Sequence, residues 1–323
     1  MTLAALLTDG ARHAPEFGGG LSNHLPMALL ALQRLGADDA RLSAWHDRYA
    51  ARLEAAPPAQ AWPAGDPWPG RLGDLSAWSA YRDLFGQWIG HEGGVDVLTQ
   101  VLPVLMPGCG AAAFHGPIRV AYAARSGHAG ELADGLAYWA CRFLPLGALP
   151  TQPGARVDPE PLLGKLRAGR SRRGLIFQRM QDAARDPVLH AQVAQLAVDD
   201  RTLERLARLS ARAYALSGNF TALHLLTACH AMRVLSAFVD DDGASLRWFW
   251  QAWAAAVVAA GMKALPAPAL QSWNAIVNRA LESPDEHVIK LVDSCREEER
   301  AYGGSGWRQA ASRAVTPAPG QAQ

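Results

Sequence analysis

Residues Asn219 to Val239 read NFTALHLLTACHAMRVLSAFV, and nearly every position in this run is apolar or small. Asn219 is a good helix N-cap, because its side-chain oxygen can accept a backbone N–H of the first turn. A helix that is apolar on all sides has to be surrounded by other elements rather than lie on a surface. The run therefore predicts a buried helix, and helical spacing places His224 on the same face as Phe220 and Thr227.

The rest of the chain shows the same preference for helices. Ala and Leu are frequent throughout, and the alternating β-branched residues typical of strands are scarce. The sequence predicts an all-α fold, a compact multi-helix bundle with proline-rich loops. We expect residues 1–302 to form one helical domain and residues 303–323 to be a disordered tail. The other main predicted helices are Pro26 to Leu35, Asp38 to Leu53, Asp74 to Ile89, Val95 to Leu105, Pro117 to Phe143 and Val193 to Leu216.

Composition argues against several classes of function. The 323 residues carry a net charge of only +1, so the chain lacks the field that attracts nucleic acid or an anionic membrane. Its four cysteines are widely separated, its N-terminus does not resemble a leader, and no apolar run approaches the roughly 20 residues that span a bilayer. We expect a cytoplasmic protein that binds neither nucleic acid nor membrane. The sequence does not indicate its oligomeric state.

Two histidines stand two residues ahead of a proline. His24 precedes Pro26, and His115 precedes Pro117. Proline suits the first turn of a helix, because the N–H that it lacks would have no intrahelical partner there. The pattern predicts that a histidine is placed at a helix N-terminus twice.

Two further histidines lie inside predicted helices. His224 belongs to the apolar run, and His287 follows Ser283-Pro284-Asp285-Glu286, a pattern that predicts a capping box with Ser283 as the N-cap. Lys290 shares a helix flank with His287 because the two are three residues apart. Four imidazoles that met at one point would make a metal site, whereas a lone core histidine usually binds a backbone carbonyl and a lone lysine usually faces solvent.

Four motifs, in order along the chain, resemble the questin oxidase-like family. They are Asn23-His24 with the leucine-rich segment behind it, Phe114 to Tyr122, Leu223-His224, and Asp285 to Val292. The resemblance extends over about residues 17 to 302. It implies an oxidoreductase related to enzymes that open an anthraquinone ring, in which Fe(II) is held by four histidines and a carboxylated lysine. On this chain the implied ligands are His24, His115, His224, His287 and Lys290.

The implied reaction is an oxygenation in which O₂ cleaves a ring of an aromatic, quinone-type polyketide, with NADPH left open as an external reductant. No Asp or Glu evidently joins the four histidines, so a carbamate on Lys290 would supply the oxygen ligand. His230 is a reserve ligand, because Arg119 stands where relatives carry a second histidine.

Three residues are candidates to bind the substrate. Arg119, one turn behind His115, is a candidate catalytic residue that would pair with a phenolate oxygen, and its alternative is an internal ion pair. Trp62 and Trp68, in the proline-rich loop between Ala59 and Gly73, are candidates to stack on the substrate's rings, unless they simply pack as part of a surface loop.

Two other functions remain open at this stage. One is a helical binding protein for planar aromatic ligands that has no turnover, and the other is an NADPH-dependent Baeyer–Villiger-type oxidase without bound metal. Gly108 to Ala113 has the form G-x-G-x-x-A, but Pro103, Pro107 and Pro117 interrupt the strand and the helix that a dinucleotide-binding motif requires. Stoichiometric iron would favour the oxygenase over both alternatives.

Overall fold

The computed structural model describes residues 1–151, 154–166, 174–239 and 243–316. The chain is 66% helical, which confirms the predicted all-α class. A single hairpin of two strands, β1 (Glu16–Phe17) and β2 (Leu21–Ser22), is the only sheet among the described residues. The α-helices of the described residues are α1 Leu3–Gly10, α2 Leu25–Leu35, α3 Asp39–Ala50, α4 Trp78–Glu92, α5 Gly94–Leu105, α6 Ala111–Ser126, α7 Ala129–Cys141, α8 Glu160–Leu163, α9 Ile176–Ala183, α10 Pro187–Val193, α11 Thr202–Ala215, α12 Phe220–Leu235, α13 Ala244–Ala260, α14 Trp273–Glu282, α15 Glu286–Tyr302 and α16 Gly306–Ala314. Short 3₁₀ turns occupy Trp68–Arg71, Leu75–Ala77, Met106–Gly108 and Ser236–Phe238.

The apolar run forms α12, as its composition predicts. The Asn219 side chain accepts the N–H groups of Thr221 and Ala222, and the helix is packed among α6, α11, α13 and α15. Nearly all its residues are buried, so the prediction of a buried helix is confirmed. The α-helical hydrogen bonding ends at Leu235, and one 3₁₀ turn follows.

Two long predicted helices are each divided. The stretch from Pro117 to Phe143 is α6 and α7, because Gly127 adopts a left-handed conformation (φ 68°) and the His128 side chain accepts the Glu131 N–H to start the next helix. The stretch from Val193 to Leu216 contains the end of α10 and all of α11, and the residues between them are not helical. Local caps outweigh the continuing helical periodicity in both cases.

The predicted disordered tail is wrong over most of its length. Residues 306–314 form α16, which packs against α11 and α15 and buries Trp307, Ala310 and Ala311. Gly303 at φ 65° ends α15 and allows the chain to turn into α16. The part of the tail from 317 to 323 lies outside the described residues.

Four helices carry the histidines and contact one another in a closed ring. α2 packs against α6, α6 against α12, α12 against α15, and α15 against α2. Each contributes one of the four predicted imidazoles, so the packing itself brings residues far apart in sequence to one place. None of the helices that the structure describes has both the length and the hydropathy needed to cross a bilayer.

Candidate metal centre

His24 is the N-cap residue of α2, ahead of Pro26 as predicted. Its backbone N–H donates to the Tyr49 hydroxyl at 3.2 Å, and the Asn23 side chain accepts the Leu25 N–H at 2.9 Å. These two bonds fix the turn that enters α2. The His24 ring is buried, with its centroid 4.6 Å from the His115 ring and 4.6 Å from the His287 ring.

His115 follows an unusual left-handed turn at the start of α6. Ala112, Ala113 and Phe114 have φ values of 47°, 58° and 70°. This turn places the Ala112 carbonyl 2.5 Å from His115 Nδ1. A carbonyl oxygen only accepts, so Nδ1 carries the proton and Nε2 keeps its lone pair. That Nε2 atom is buried and has no hydrogen-bond partner among the described residues.

Gly116, between His115 and Pro117, marks a close approach of two helices. A Cβ atom at this position would lie 2.9 Å from Trp139 Cβ on α7. Such a contact is too short for a side chain of any size. The glycine therefore lets α7 pack directly against the turn that carries His115.

His224 and His287 are each held through Nδ1. His224 Nδ1 donates to the Phe220 carbonyl at 2.8 Å, and His224 Nε2 is buried without a partner in the described part of the chain. His287 Nδ1 lies 3.1 Å from the Asp285 carboxylate. Metal-binding histidines characteristically donate one ring N–H to a carbonyl or carboxylate and present the other nitrogen to the ion.

Asp285, rather than Ser283, is the N-cap of α15. Its carboxylate accepts the His287 N–H at 2.8 Å, so the helix begins two residues later than the capping-box pattern predicts. Ser283 instead accepts the Asp285 N–H at 3.0 Å and fixes the turn before the helix. The prediction of a helix start here is correct, and the predicted cap is wrong because a second capping residue competes.

Lys290 is buried on α15 next to the imidazoles. Its Nζ lies 2.8 Å from His24 Nδ1, so His24 is held by a lysine and not by a carbonyl or carboxylate. Burial lowers the pKa of Lys290 to about 7, although Glu286 and Asp285 act in the opposite direction. Burial also holds the pKa of His24, His115 and His224 well below the ordinary histidine value. The cluster therefore consists largely of neutral nitrogen donors.

The predicted ligands converge. One ring nitrogen from each of His24, His115 and His287 lies within 4.8 Å of the other two, and the His224 ring centroid lies 4.8 Å from that of His115. Neutral imidazoles with buried, unpartnered Nε2 atoms suit a divalent transition metal, because unsatisfied buried lone pairs are otherwise costly. On this observation the donor set fits an iron ion.

A cavity of 290 Å³ opens beside the imidazoles, a volume near the lower end of the usual range for small-molecule sites. All four histidines line it. The hairpin β1–β2 forms part of one wall and the start of α9 part of another. Its larger apolar side chains are Phe17, Leu21, Leu175, Ile176, Phe177 and Phe220.

A model of the questin oxidase-like family matches residues 21–295, which is most of the chain. This chain belongs to the questin oxidase-like family. Membership confirms the resemblance seen in the four motifs and makes the protein an oxidoreductase. No curated protein sequence matches the chain significantly.

Arg119 does not line the cavity of this questin oxidase-like protein. It is buried, with Nε 2.6 Å from Glu131 Oε1 and Nη2 2.8 Å from Glu131 Oε2, and Asp134 lies 3.5 Å away. The structure thus shows the internal ion pair that was the alternative for Arg119. Its guanidinium is already satisfied by two carboxylates of α7, so the predicted catalytic and substrate-binding role is not retained.

Trp62 and Trp68 also lie elsewhere than predicted. Their rings pack against α4, with Trp62 4.6 Å from Tyr81 and Trp68 5.6 Å from Phe85 between centroids. Neither is among the residues that line the cavity. The aromatic loop is therefore part of the packing around α4, and the aromatic rings that line the cavity are phenylalanines.

His230, the reserve ligand, lies outside the histidine cluster. Its Nδ1 is 2.7 Å from Glu298 Oε1, and the same carboxylate binds Arg233. A histidine already bound to a buried carboxylate is the ordinary case of a satisfied core residue. The cluster is formed by the four histidines of the motifs.

Sequence reasoning did not identify the two charged residues that line the cavity, Glu286 and Arg52. Glu286 was read only as a helix-capping residue, yet its carboxylate faces the cavity and lies 3.8 Å from His287 Nδ1. Its position, adjacent to His287 and four residues before Lys290, was the available signal. Arg52 follows α3 in an ordinary charged stretch, and nothing in the sequence distinguishes it from the other arginines.

Proposed function

We propose that this chain is a non-haem Fe(II) oxygenase that uses O₂ to cleave a ring of an aromatic, quinone-type substrate. The supporting observation is the convergence of four histidines, two of them with buried and unpartnered Nε2 atoms, at the wall of an apolar cavity. Family membership adds the oxidoreductase class.

The proposed ligands are His24, His115, His224, His287 and Lys290. Bound Fe(II) would supply the one-electron chemistry that lets O₂ react with an organic molecule. The chain's own contribution is to hold the imidazoles rigidly, because Ala112, Phe220 and Asp285 fix three of the rings through Nδ1.

We propose that Lys290 carries a carbamate. A neutral amine adds to the carbon of CO₂, so that an N–C bond forms and one C=O π bond breaks to place the negative charge on oxygen. The amine proton passes to water, and the product is an anionic group with two oxygen donors. Burial favours the neutral amine that this addition needs, since it brings the pKa of Lys290 to about 7. The carbamate would add the oxygen donor that four imidazoles lack.

The cavity would bind the substrate and keep bulk water away from it. Phe17, Phe177 and Phe220 offer flat apolar surfaces to a planar ring system. Glu286 would accept a hydrogen bond from a substrate hydroxyl, and its carboxylate is itself in contact with Tyr49. Exclusion of water protects reactive species from hydrolysis.

Iron content and O₂ uptake test the proposal directly. We expect purified protein loaded with Fe(II) under nitrogen to retain about one iron per chain, and to consume O₂ only when an anthraquinone of a small panel is added. A parallel series with NADPH tests the reductant. Tight binding of the anthraquinones without iron or O₂ uptake would favour the binding protein, and NADPH-dependent O₂ uptake by iron-free protein would favour the metal-free oxidase.

A further inference from the structure

We propose that Arg52 binds an anionic oxygen substituent of the aromatic substrate, a carboxylate or an ionised phenol. The inference rests on the proposed function and narrows its substrate class to aromatic acids. Arg52 lines the cavity together with Phe17 and the four histidines. Arg52 would therefore bind the substrate oxygen that the sequence analysis assigned to Arg119.

Two aromatic rings position the Arg52 guanidinium. Its Cζ lies 5.0 Å from the centre of the Tyr49 ring and 5.5 Å from that of Phe17. Ring faces attract a guanidinium without neutralising its charge. Tyr49 also accepts the backbone N–H of His24, so the group that supports Arg52 is tied to the same turn that holds a candidate ligand.

Arg52 is an exposed residue that lines the cavity, so its guanidinium is accessible to a ligand. No carboxylate among the described residues lies within ion-pair distance of it. Arg142 offers a contrast, because its guanidinium lies 5.6 Å from the Phe177 ring of the same cavity but is bound by Glu16, with Nε 2.6 Å from Oε1. Of these two arginines near cavity rings, Arg142 is neutralised by Glu16, whereas the exposed guanidinium of Arg52 is free to bind a ligand in the cavity.

The chemistry of the cavity limits the anion to one with a single charge on a flat, apolar body. A guanidinium presents a planar pair of N–H donors that matches a carboxylate. Glu286 lines the same cavity and would repel a ligand with several negative charges, such as a phosphate ester. The apolar walls suit the remaining aromatic rings.

A matched pair of ligands separates charge recognition from ring binding. Anthraquinone-2-carboxylate and anthraquinone-2-carboxamide have the same ring system, and they differ in charge. Affinities are measured by quenching of protein fluorescence under nitrogen, for the native chain and for Arg52→Gln, Arg52→Lys and Arg48→Gln. Arg48 is an exposed residue of α3 that does not line the cavity, so it controls for the loss of one positive charge.

We expect the native chain to bind the acid at least about tenfold more tightly than the amide. Arg52→Gln should remove that preference and leave the amide affinity unchanged, Arg52→Lys should restore part of it, and Arg48→Gln should behave as the native chain. Equal native affinities for both ligands, a preference that survives in Arg52→Gln, or an equal loss of both ligands would each overturn the proposal.

The outcome is distinguishable from failure of the proposed function. Absence of binding for both ligands would also overturn the role of Arg52, and the iron content of the same preparation then shows whether the metal centre fails with it. The protein could retain iron and consume O₂ with a neutral anthraquinone, yet bind the acid no more tightly than the amide. That result would be consistent with the proposed oxygenase and would contradict only the anion-binding role of Arg52.

Discussion

The first and second parts of α15 differ in whether their buried ionisable side chains have ion-pair partners. In the first part, Lys290 faces the neutral ring of His24 and has no carboxylate partner at ion-pair distance among the described residues. In the second part of the helix, which we take from Asp293 onward, the buried carboxylates Asp293 and Glu298 and the part-buried Glu297 each meet an arginine. The pairs are Asp293 with Arg34 at 3.0 Å, Glu297 with Arg34 and Arg125 at 2.9 Å, and Glu298 with Arg233 at 2.8 Å.

This difference suggests that the first part of α15 serves the metal centre and that the second part stabilises the fold. A buried amine without a carboxylate partner lowers stability, so its presence needs another explanation, and the adjacent cluster of imidazoles provides one. The paired carboxylates, in contrast, tie α15 to α2, α6 and α12. Substitutions in the first part should therefore change metal content, and those in the second part should change the free energy of unfolding.

The largest effect is expected for His115→Ala. The remaining ligands cannot rebuild the site, because the rings are held in place by their Nδ1 partners, so we expect loss of most of the iron and a fall in activity of about 100-fold or more. Iron is measured by elemental analysis. His230→Ala is the control, because His230 is a buried imidazole outside the cluster, and full iron occupancy in His115→Ala would exclude His115 as a ligand.

Glu298→Gln, in the second part of α15, should lower the free energy of unfolding and leave the iron content unchanged. Removing one charge from a buried pair costs about 3 kcal/mol, because Arg233 and His230 lose their common partner. Denaturant unfolding measures the cost, and Arg125→Gln, at a more exposed pair, should cost less than about 1 kcal/mol. Iron content should be unchanged in both variants. A loss of iron in folded Glu298→Gln would show that metal binding depends on the ion pairs in the second part of α15.

Lys290 can be tested by exchanging the group it supplies. Lys290→Ala should lose iron and activity, whereas Lys290→Glu should recover roughly a tenth of the native activity, because a carboxylate restores the oxygen donor on a shorter arm. Mass spectrometry under native conditions should detect the added CO₂ on the iron-loaded protein. Equal behaviour of the Ala and Glu variants would argue against a carbamate.

The smallest effect concerns acid stability. Arg34 and Arg125 hold the pKa of Glu297 at about 2, against the opposing effect of burial, so the folded state binds this proton less readily than the unfolded state. The stabilisation is therefore complete above about pH 4.5 and is lost as the pH falls towards 2. We expect Glu297→Gln to cost about 1 to 2 kcal/mol at pH 7 and less than half as much at pH 3. A cost that did not change with pH would mean that the charge is not responsible.

The sequence was sufficient to predict most of the helices and the four histidines that cluster, but not the other residues that line the cavity. Proline positions, caps and apolar runs act locally, so α2, α12 and the start of α15 could be predicted. Arg119 was misread because its partners, Glu131 and Asp134, lie on the next helix, although their spacing of three residues places both on one face.

Arg52 and Glu286 could not be recognised from the sequence as cavity residues. They face the cavity only after α3 and α15 have packed, and no local pattern encodes that approach. The helix α16 was missed for a similar reason, since its composition is polar apart from Trp307 and a few alanines that become buried against α11.

The left-handed turn before His115 sets a limit on what the cavity can hold. Ala112 and Ala113 line the cavity with their methyl groups while standing at φ values that a branched side chain adopts only at high cost. Exchanging side chains enlarges or shrinks most pockets, but at these two positions the backbone conformation disfavours β-branched residues. The handedness of the backbone thus restricts which side chains can narrow this part of the cavity, and the hairpin and the phenylalanines are the parts of the wall that side-chain exchange can reshape more freely.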